Sequence, residues 1–468
     1  MNSPSRRDLL RLGAVVGGGL FLPRTALALP DDPWSGARRI EAAIVPPAFP
    51  SRTFTVTTHG AAADGETLDT EAFARAVEAC SASGGGRVLV PPGRYLTGAI
   101  HLRSNVELHL EEGAHLLFSI DPAHYPLVLT RYEGVECYNY SPLIYAYGAT
   151  NVAVTGKGLL DGQAGNDAWW PWCGAERYGW SEGEPSQSAD RLRLFGMAEE
   201  DVPVRERVFG PGHYLRPSFI EFYGCRNVLI EGVTLKDAPC WNLHPVLCEN
   251  VTVRNVTVTG HGPNNDGCNP ESVSGTLIEG CRFDTGDDCI AIKSGRNADG
   301  RRVAVPASDI LIRRCVMRAG HGGVVIGSEI SGGAHHVFVE DCRMDSPDLW
   351  YALRFKNNAM RGGVVEDVYV RDVDVGRVGR AAITCDFNYE EGADGPFVPV
   401  LRRLRVERMH VAQAVRVLDV QGLRGAPITD VALRDCTFSG VTEPSILAYA
   451  EGLSLEEVFV NGERVTAF

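Results

Sequence analysis

Residues 227–235 read Asn227-Val-Leu-Ile-Glu-Gly-Val-Thr-Leu235, and 23 residues later Asn250-Val-Thr-Val-Arg-Asn-Val-Thr-Val258 repeats the pattern. Further copies begin at Gly275, Asp309, His336, Asp367, Arg403 and Asp430, at intervals of 25, 34, 27, 31, 36 and 27 residues, with earlier ones at Asn105 and Asn151. Apolar residues fall at the second, fourth, seventh and ninth places, which describes two short alternating strands joined by a bend. The intervals vary above a minimum near 23, as expected of constant coils with insertions on one side. No helical pattern lies between the copies, so they are not strand–helix units. A leucine-rich repeat would fix Leu at set offsets, and a propeller would need four strands per blade. The economical solution is an all-β, single-stranded parallel β-helix, each coil pairing with the next about 4.8 Å away.

The seventh place holds Val233, Val256, Cys281, Cys315, Cys342, Val373, Met409 and Cys436. A column filled interchangeably by Val, Met and Cys is apolar core, where Cys acts as a small hydrophobe. These cysteines are therefore expected to be buried thiols. No Cys or His pattern has metal-ligand spacing, and no cofactor or metal is expected. The 52 glycines, about 11% against a usual 7% or so, suit a chain of many tight turns.

The chain has 468 residues and a formal charge of -14. Arg6-Arg7, the apolar run from Gly13 to Leu22 and Thr25-Ala26-Leu27-Ala28 have the order of a twin-arginine export signal over residues 1–28. Ten apolar residues are too few to span a bilayer, which needs about 20. Export to the periplasm or the exterior is the expectation, and the remaining 440 residues carry a charge of -17. That excess argues against nucleic acid or an anionic membrane as partner. Residues 29–100 are expected to form an N-terminal cap and the first coils, and 101–468 the body of the β-helix. One helix stands out, with Asp69 or Thr70 as its cap and Phe73, Ala76, Val77 and Cys80 on one face. It is expected to cover an end of the stack. Residues 163–217 break the rhythm and hold Trp169, Trp170, Trp172, Tyr178 and Trp180, as either a packed loop or a sugar-stacking wall.

Chemistry enters after the ninth place of three successive repeats. The connections read His261-Gly-Pro-Asn264-Asn265-Asp266-Gly-Cys-Asn-Pro-Glu271, then Thr285-Gly286-Asp287-Asp288-Cys-Ile-Ala-Ile-Lys293-Ser-Gly-Arg296, then Ala319-Gly320-His321-Gly322. Aligning the first two sets Asp266 and Asp288, 22 residues apart, at one rank of adjacent coils, with Asp287 beside them and His321 one coil on. Trp241 and His244 occupy the preceding coil, Arg354 and Lys356 a later one. Carboxylates crowded in this way raise at least one pKa, which suits glycoside hydrolysis by one protonated and one ionised carboxyl group.

Four motifs occur in order: Asn264-Asn265-Asp266, Gly286-Asp287-Asp288, Gly320-His321-Gly322 and Arg354-Phe355-Lys356. In these the chain resembles glycoside hydrolase family 28, the polygalacturonase-like family, over roughly residues 50–460. Asn265 stands where that family more often has Thr. The resemblance implies a right-handed parallel β-helix and inverting hydrolysis of α-1,4-galacturonosidic bonds in pectin. It implies Asp287 as general acid and Asp266 and Asp288 as the groups that hold and deprotonate water. His321 would share the acid's proton, and Arg354 and Lys356 would clamp a substrate carboxylate. Asn264, Trp241 and His244 are further subsite candidates, with His244 equally open to a core role. Lys293 and Arg296 would extend the cationic subsite. Exo action is expected if the 163–217 insertion closes one end of the cleft. Three alternatives remain: a rhamnogalacturonan hydrolase of the same family, a calcium-dependent pectate lyase on the same fold, and a non-catalytic carbohydrate-binding β-helix.

Overall fold

A computed structural model describes residues 32–468, and the expected export signal lies outside the described residues. The repeat stacks as its pattern requires. Val228 lies on Val251, Val251 on Thr276, and Thr276 on Ile310; Val337, Val368, Leu404 and Val431 continue the column, every pairing parallel. The chain thus forms a right-handed parallel β-helix. The seventh-place column is at most 2% exposed throughout. All thirteen cysteines are free, and Cys281, Cys315, Cys342 and Cys436 pack as core.

The bends have a backbone cause. The first place of every copy, from Asn105 to Asp430, has φ between 55° and 71°, and the sixth, from Gly232 to Asp435, between 49° and 79°. Asn and Asp tolerate this left-handed region better than most residues, which explains their recurrence at both places. Asn151, Asn227 and Asn250 also each donate through Nδ2 to the Asn one coil back, at 2.8–2.9 Å, which satisfies their amides.

Each coil's third face forms a separate sheet. Strands Ile100–His101, Ile144–Tyr147, Ile220–Tyr223 and Leu243–Val246 make one part; strands from Ile290–Ile292 to Ile446–Ala448 make the other. Between them the Asp266 coil contributes only isolated bridges, Cys268 to Leu243 and Ile290, and Glu271 to Val246 and Lys293. Pro270 interrupts this segment because it has no N–H to give.

Helix α2 (Thr70–Ala82) buries Ala72, Phe73, Ala76, Val77 and Cys80 against the first coils. Its cap differs from expectation: Asp69 accepts from Ala62 and Ala63 N–H, and Thr70 Oγ1 from Gly98 N–H, so both tie neighbouring turns. Three further helices lacked a clear apolar face in sequence. α1 (Trp34–Ala43) buries two large side chains, Trp34 and Ile40, beside Gly36 and Ala37, and docks on Leu277, Leu311, Phe338 and Tyr369. α3 (Ser188–Glu199) buries only Asp190, Leu194 and Ala198, and α4 (Asn297–Val303) is short. The aromatic insertion is a packed loop: Trp169 is buried, 5.0 Å from the Trp172 ring and 5.6 Å from Tyr125.

Ile312 is fully buried in the fourth-place column. Ile312→Ala should lower unfolding free energy by about 2–5 kcal/mol in chemical denaturation. Because the thiols are free, wild-type transitions with and without reductant should coincide.

Candidate active site

The 22-residue offset of Cys268 from Ile290 and of Glu271 from Lys293 sets Asp266 beside Asp288 on adjacent coils. The pairing of Ile290 with Val324 places His321 over Asp287, and their side chains meet at 2.9 Å, Nδ1 to Oδ1. Leu353 lies on Val324, which brings Arg354 and Lys356 onto the next coil. Close approach explains the glycines between them. A Cβ on Gly286 would lie 2.4 Å from the Gly262 carbonyl oxygen, and one on Gly320 2.6 Å from that of Asp287.

The carboxylates divide by surroundings. Burial and the adjacent charge of Asp287 push Asp266 well above the usual carboxylate range, against the pull of Lys293 at 3.6 Å. Burial also raises Asp287, but the hydrogen bond and charge of His321, with Lys356 and Lys293, outweigh it and hold the group low. The crowding therefore raises a pKa as expected, but on Asp266 and not on the expected acid. Asp288 Oδ2 accepts from Lys356 Nζ at 2.7 Å. Its Oδ1 faces Arg354 at 3.5 Å and, although buried, accepts no hydrogen bond among the described residues.

Other predicted residues take different places. Arg354 stands between the rings of Tyr351 and Tyr389, 5.2 and 5.7 Å from their centroids, with its contact to Asp288 long enough to leave donors for a ligand. Asn264 bends the loop with φ 55° and accepts from Arg216 at 2.7 Å. Trp241 forms the floor beneath Asp266, with the Lys293 ammonium 4.5 Å from its ring centroid. Two expectations are corrected. Lys293 does not extend a cationic subsite, because it is buried and bonded to Glu329 at 2.8 Å; Arg296 is likewise occupied by Glu390, Glu391, Glu329 and Glu133. His244 is not a subsite residue. It is fully buried, between Glu221 at 3.1 Å and Glu271 at 2.8 Å.

The hairpin of strands Leu127–Tyr132 and Val135–Tyr140 covers the site sheet on the side before Asp266. Tyr145 donates to its Leu129 carbonyl at 2.6 Å, Thr130 donates to Glu221, and Arg131 is bonded to the buried Glu271 at 2.8 Å. Gly134 at the tip packs on Glu329 and Arg296, where an added Cβ would approach to 2.7 Å. Glu133 meets Arg191 of α3 at 2.6 Å, and Glu390 and Glu391 meet Arg296 and Arg361. From the insertion, Trp170 donates to the Ala238 carbonyl at 3.0 Å and lies against Gly262 and Tyr178. Three segments far apart in sequence, the hairpin, the 163–217 insertion and the Glu390–Glu391 loop, therefore meet beside the site sheet. The sequence reading missed Glu133, Tyr351 and Tyr389. Tyr351 adjoins the Arg354 motif and could have been read from that spacing; the other two come from distant loops.

The buried His244 links stability to pH. Burial opposes its charge, but hydrogen bonds and charge from Glu221 and Glu271 prevail and raise it. A raised folded value means its contribution is complete below the unfolded value of about 6.5 and is lost as pH rises through the folded one. Glu271, held low by Arg131 and His244 against its burial, contributes above about 4.5 and loses that contribution as pH falls. Melting temperature should therefore fall on the alkaline side of neutrality, and His244→Gln should flatten that limb.

Residues 212–398 match the family model described as glycosyl hydrolases family 28. The chain is 30% identical to a probable polygalacturonase of Vitis vinifera over 394 residues, covering 81% of this chain and 72% of that protein. It is 26% identical to an exo-poly-alpha-D-galacturonosidase of Dickeya chrysanthemi, covering 73% of this chain and 58% of that protein. Among solved structures, a hyperthermoactive exopolygalacturonase from Thermotoga maritima is 44% identical with a TM-score of 0.90, covering 92% of this chain and 96% of that one. The identity and coverage of the Thermotoga and Vitis proteins, on the same coil stack and with the four motifs converging on one cleft, make this chain a member of glycosyl hydrolase family 28.

Proposed function

We propose that the chain is an exo-acting polygalacturonase, cleaving α-1,4-galacturonosidic bonds in pectin from a chain end. The observation that carries exo action is the wall before Asp266. A polymer laid across Asp287 and Arg354 would run against the hairpin, whose tip at Gly134 packs on Arg296 and Glu329 beside the Glu133–Arg191 pair. Two of the similar proteins named above are exo-acting galacturonosidases.

The reaction is a single displacement. The proton shared by Asp287 and His321 passes to the glycosidic oxygen as its bond to C1 breaks. A water bonds to C1 from the opposite face and gives its proton to Asp288. Asp266, whose charge burial disfavours, orients that water. Arg354 recognises the uronate carboxylate, and Lys356 holds Asp288 in place. The calcium-lyase alternative fits poorly because Lys293, Lys356 and His321 already face these carboxylates, whereas a calcium site gathers oxygen ligands without competing cations. Export by the twin-arginine route rests on Arg6-Arg7 and the small residues at 25–28.

Asp287→Asn should lower kcat by about 10²–10⁴-fold with binding retained. Chromatography of a defined oligogalacturonate digest should show one small product from the first time point; a ladder of intermediate lengths would refute exo action. Arg354→Ala should raise KM most at low salt, where its attraction for a polyanion is least screened. For export, the N-terminal residue of protein recovered outside the cytoplasm should follow Ala28, and Arg6→Lys with Arg7→Lys should retain it inside.

A further inference from the structure

The column that contains Asp287 does not stop at His321. Gly320 bridges to Leu349, and Leu353 lies on Ile383, so Asp287, His321, Trp350 and Arg380 occupy one rank on four successive coils. Their planar groups are layered. The imidazole of His321 lies on the Trp350 indole at 3.9 Å between centroids and 23° between planes. The Arg380 guanidinium lies 3.9 Å from the Trp350 ring centroid and donates to Tyr351 Oη at 3.4 Å. Backbone bonds lock the layers, Trp350 N–H to the Gly320 carbonyl and Arg380 N–H to the Trp350 carbonyl, at 3.0 and 2.9 Å.

His321 needs such a support. Its side chain is about a quarter exposed, and among the described residues its one ring contact to a polar group is Nδ1 to Asp287. A turn of the ring about its bond to Cβ would break that contact without meeting core. Trp350 blocks the turn on one face. Arg380 fixes Trp350 in turn, because a guanidinium stacked on indole is held by the ring's quadrupole and by its own hydrogen bond. With both faces of the indole covered, Trp350 is not free to stack on a sugar.

We infer that Trp350, backed by Arg380, is a positioning residue that holds His321 in line with Asp287 for proton donation to the leaving group. This rests on the reading of Asp287 and His321 as the proton donor. The pair does not contact the attacking water, so the effect falls on departure of the leaving group. Misplacement of a catalytic group by about 1 Å can cost on the order of 10²-fold.

The test compares two substrates, an oligogalacturonate and a nitrophenyl galacturonide whose leaving group departs with little need of a proton. On the oligomer, Trp350→Ala should lower kcat about 10–100-fold with KM within about twofold. Trp350→Phe should keep most activity, and Arg380→Ala should give a smaller loss of the same kind. On the nitrophenyl substrate the Trp350→Ala loss should largely disappear, as should that of His321→Ala. An unchanged kcat with raised KM would overturn the inference and make Trp350 a subsite residue. Equal losses on both substrates, or a Phe variant as poor as the Ala variant, would mark a merely structural role and overturn it too. If His321→Ala and Asp287→Asn themselves lose nothing on the oligomer, the proton-donor reading fails instead, and that result is separate from the behaviour of Trp350.

Discussion

Parallel stacking in strict register is the constraint on which the molecule depends. Every coil must turn at the same backbone places, in a left-handed conformation, so that the next coil lands on it about 4.8 Å away. Once this holds, rank in the coil sets position in space. Val228, Val251, Thr276 and Ile310 form a core column for the same reason that Asp287, His321, Trp350 and Arg380 form a polar one. A change of one residue in the length between the repeat and the third strand would turn Asp266 or Asp287 away from its neighbours.

Stacking also brings a cost, because it holds like charges at coil spacing. Two carboxylates about 4.8 Å apart repel by roughly 3–4 kcal/mol at an effective dielectric of 20, enough to displace a proton by more than two pKa units. The site meets this with Lys293, Lys356, Arg354 and His321. The arrangement is uneven: Asp287 meets the His321 imidazole at 2.9 Å, whereas Asp266 meets an ammonium only at 3.6 Å. That difference gives chemically identical side chains unlike surroundings, with Asp266 pushed up and Asp287 held low.

The wall of the cleft uses buried charge in another way. Arg131, Glu271, His244 and Glu221 have no exposed side-chain surface, and they join the hairpin to three coils of the site sheet. Breaking one member leaves an uncompensated buried charge, at a cost of about 3–5 kcal/mol. A rigid hairpin therefore stands over the sheet, and the end of the cleft is set by the same network that supports its floor.

The coil stack, its cysteine-bearing core and the converging Asp266, Asp287, Asp288, His321, Arg354 and Lys356 were legible in the sequence, because a repeat with fixed rank turns linear spacing into adjacency. α1, α3 and α4 were not, since their buried faces rely on small or few apolar residues and form only against surfaces built elsewhere. The part of His244 was likewise hidden. Spacing put it at the right rank, but only the fold shows that Arg131, over a hundred residues away, closes the network around it. The sequence by itself determined the fold and the rank at which the polar residues converge, through local backbone turns and periodicity. The tertiary structure decided which carboxylate is pushed up, which cations glutamates already occupy and where the hairpin lies, because these depend on desolvation and contacts between insertions that no repeat relates.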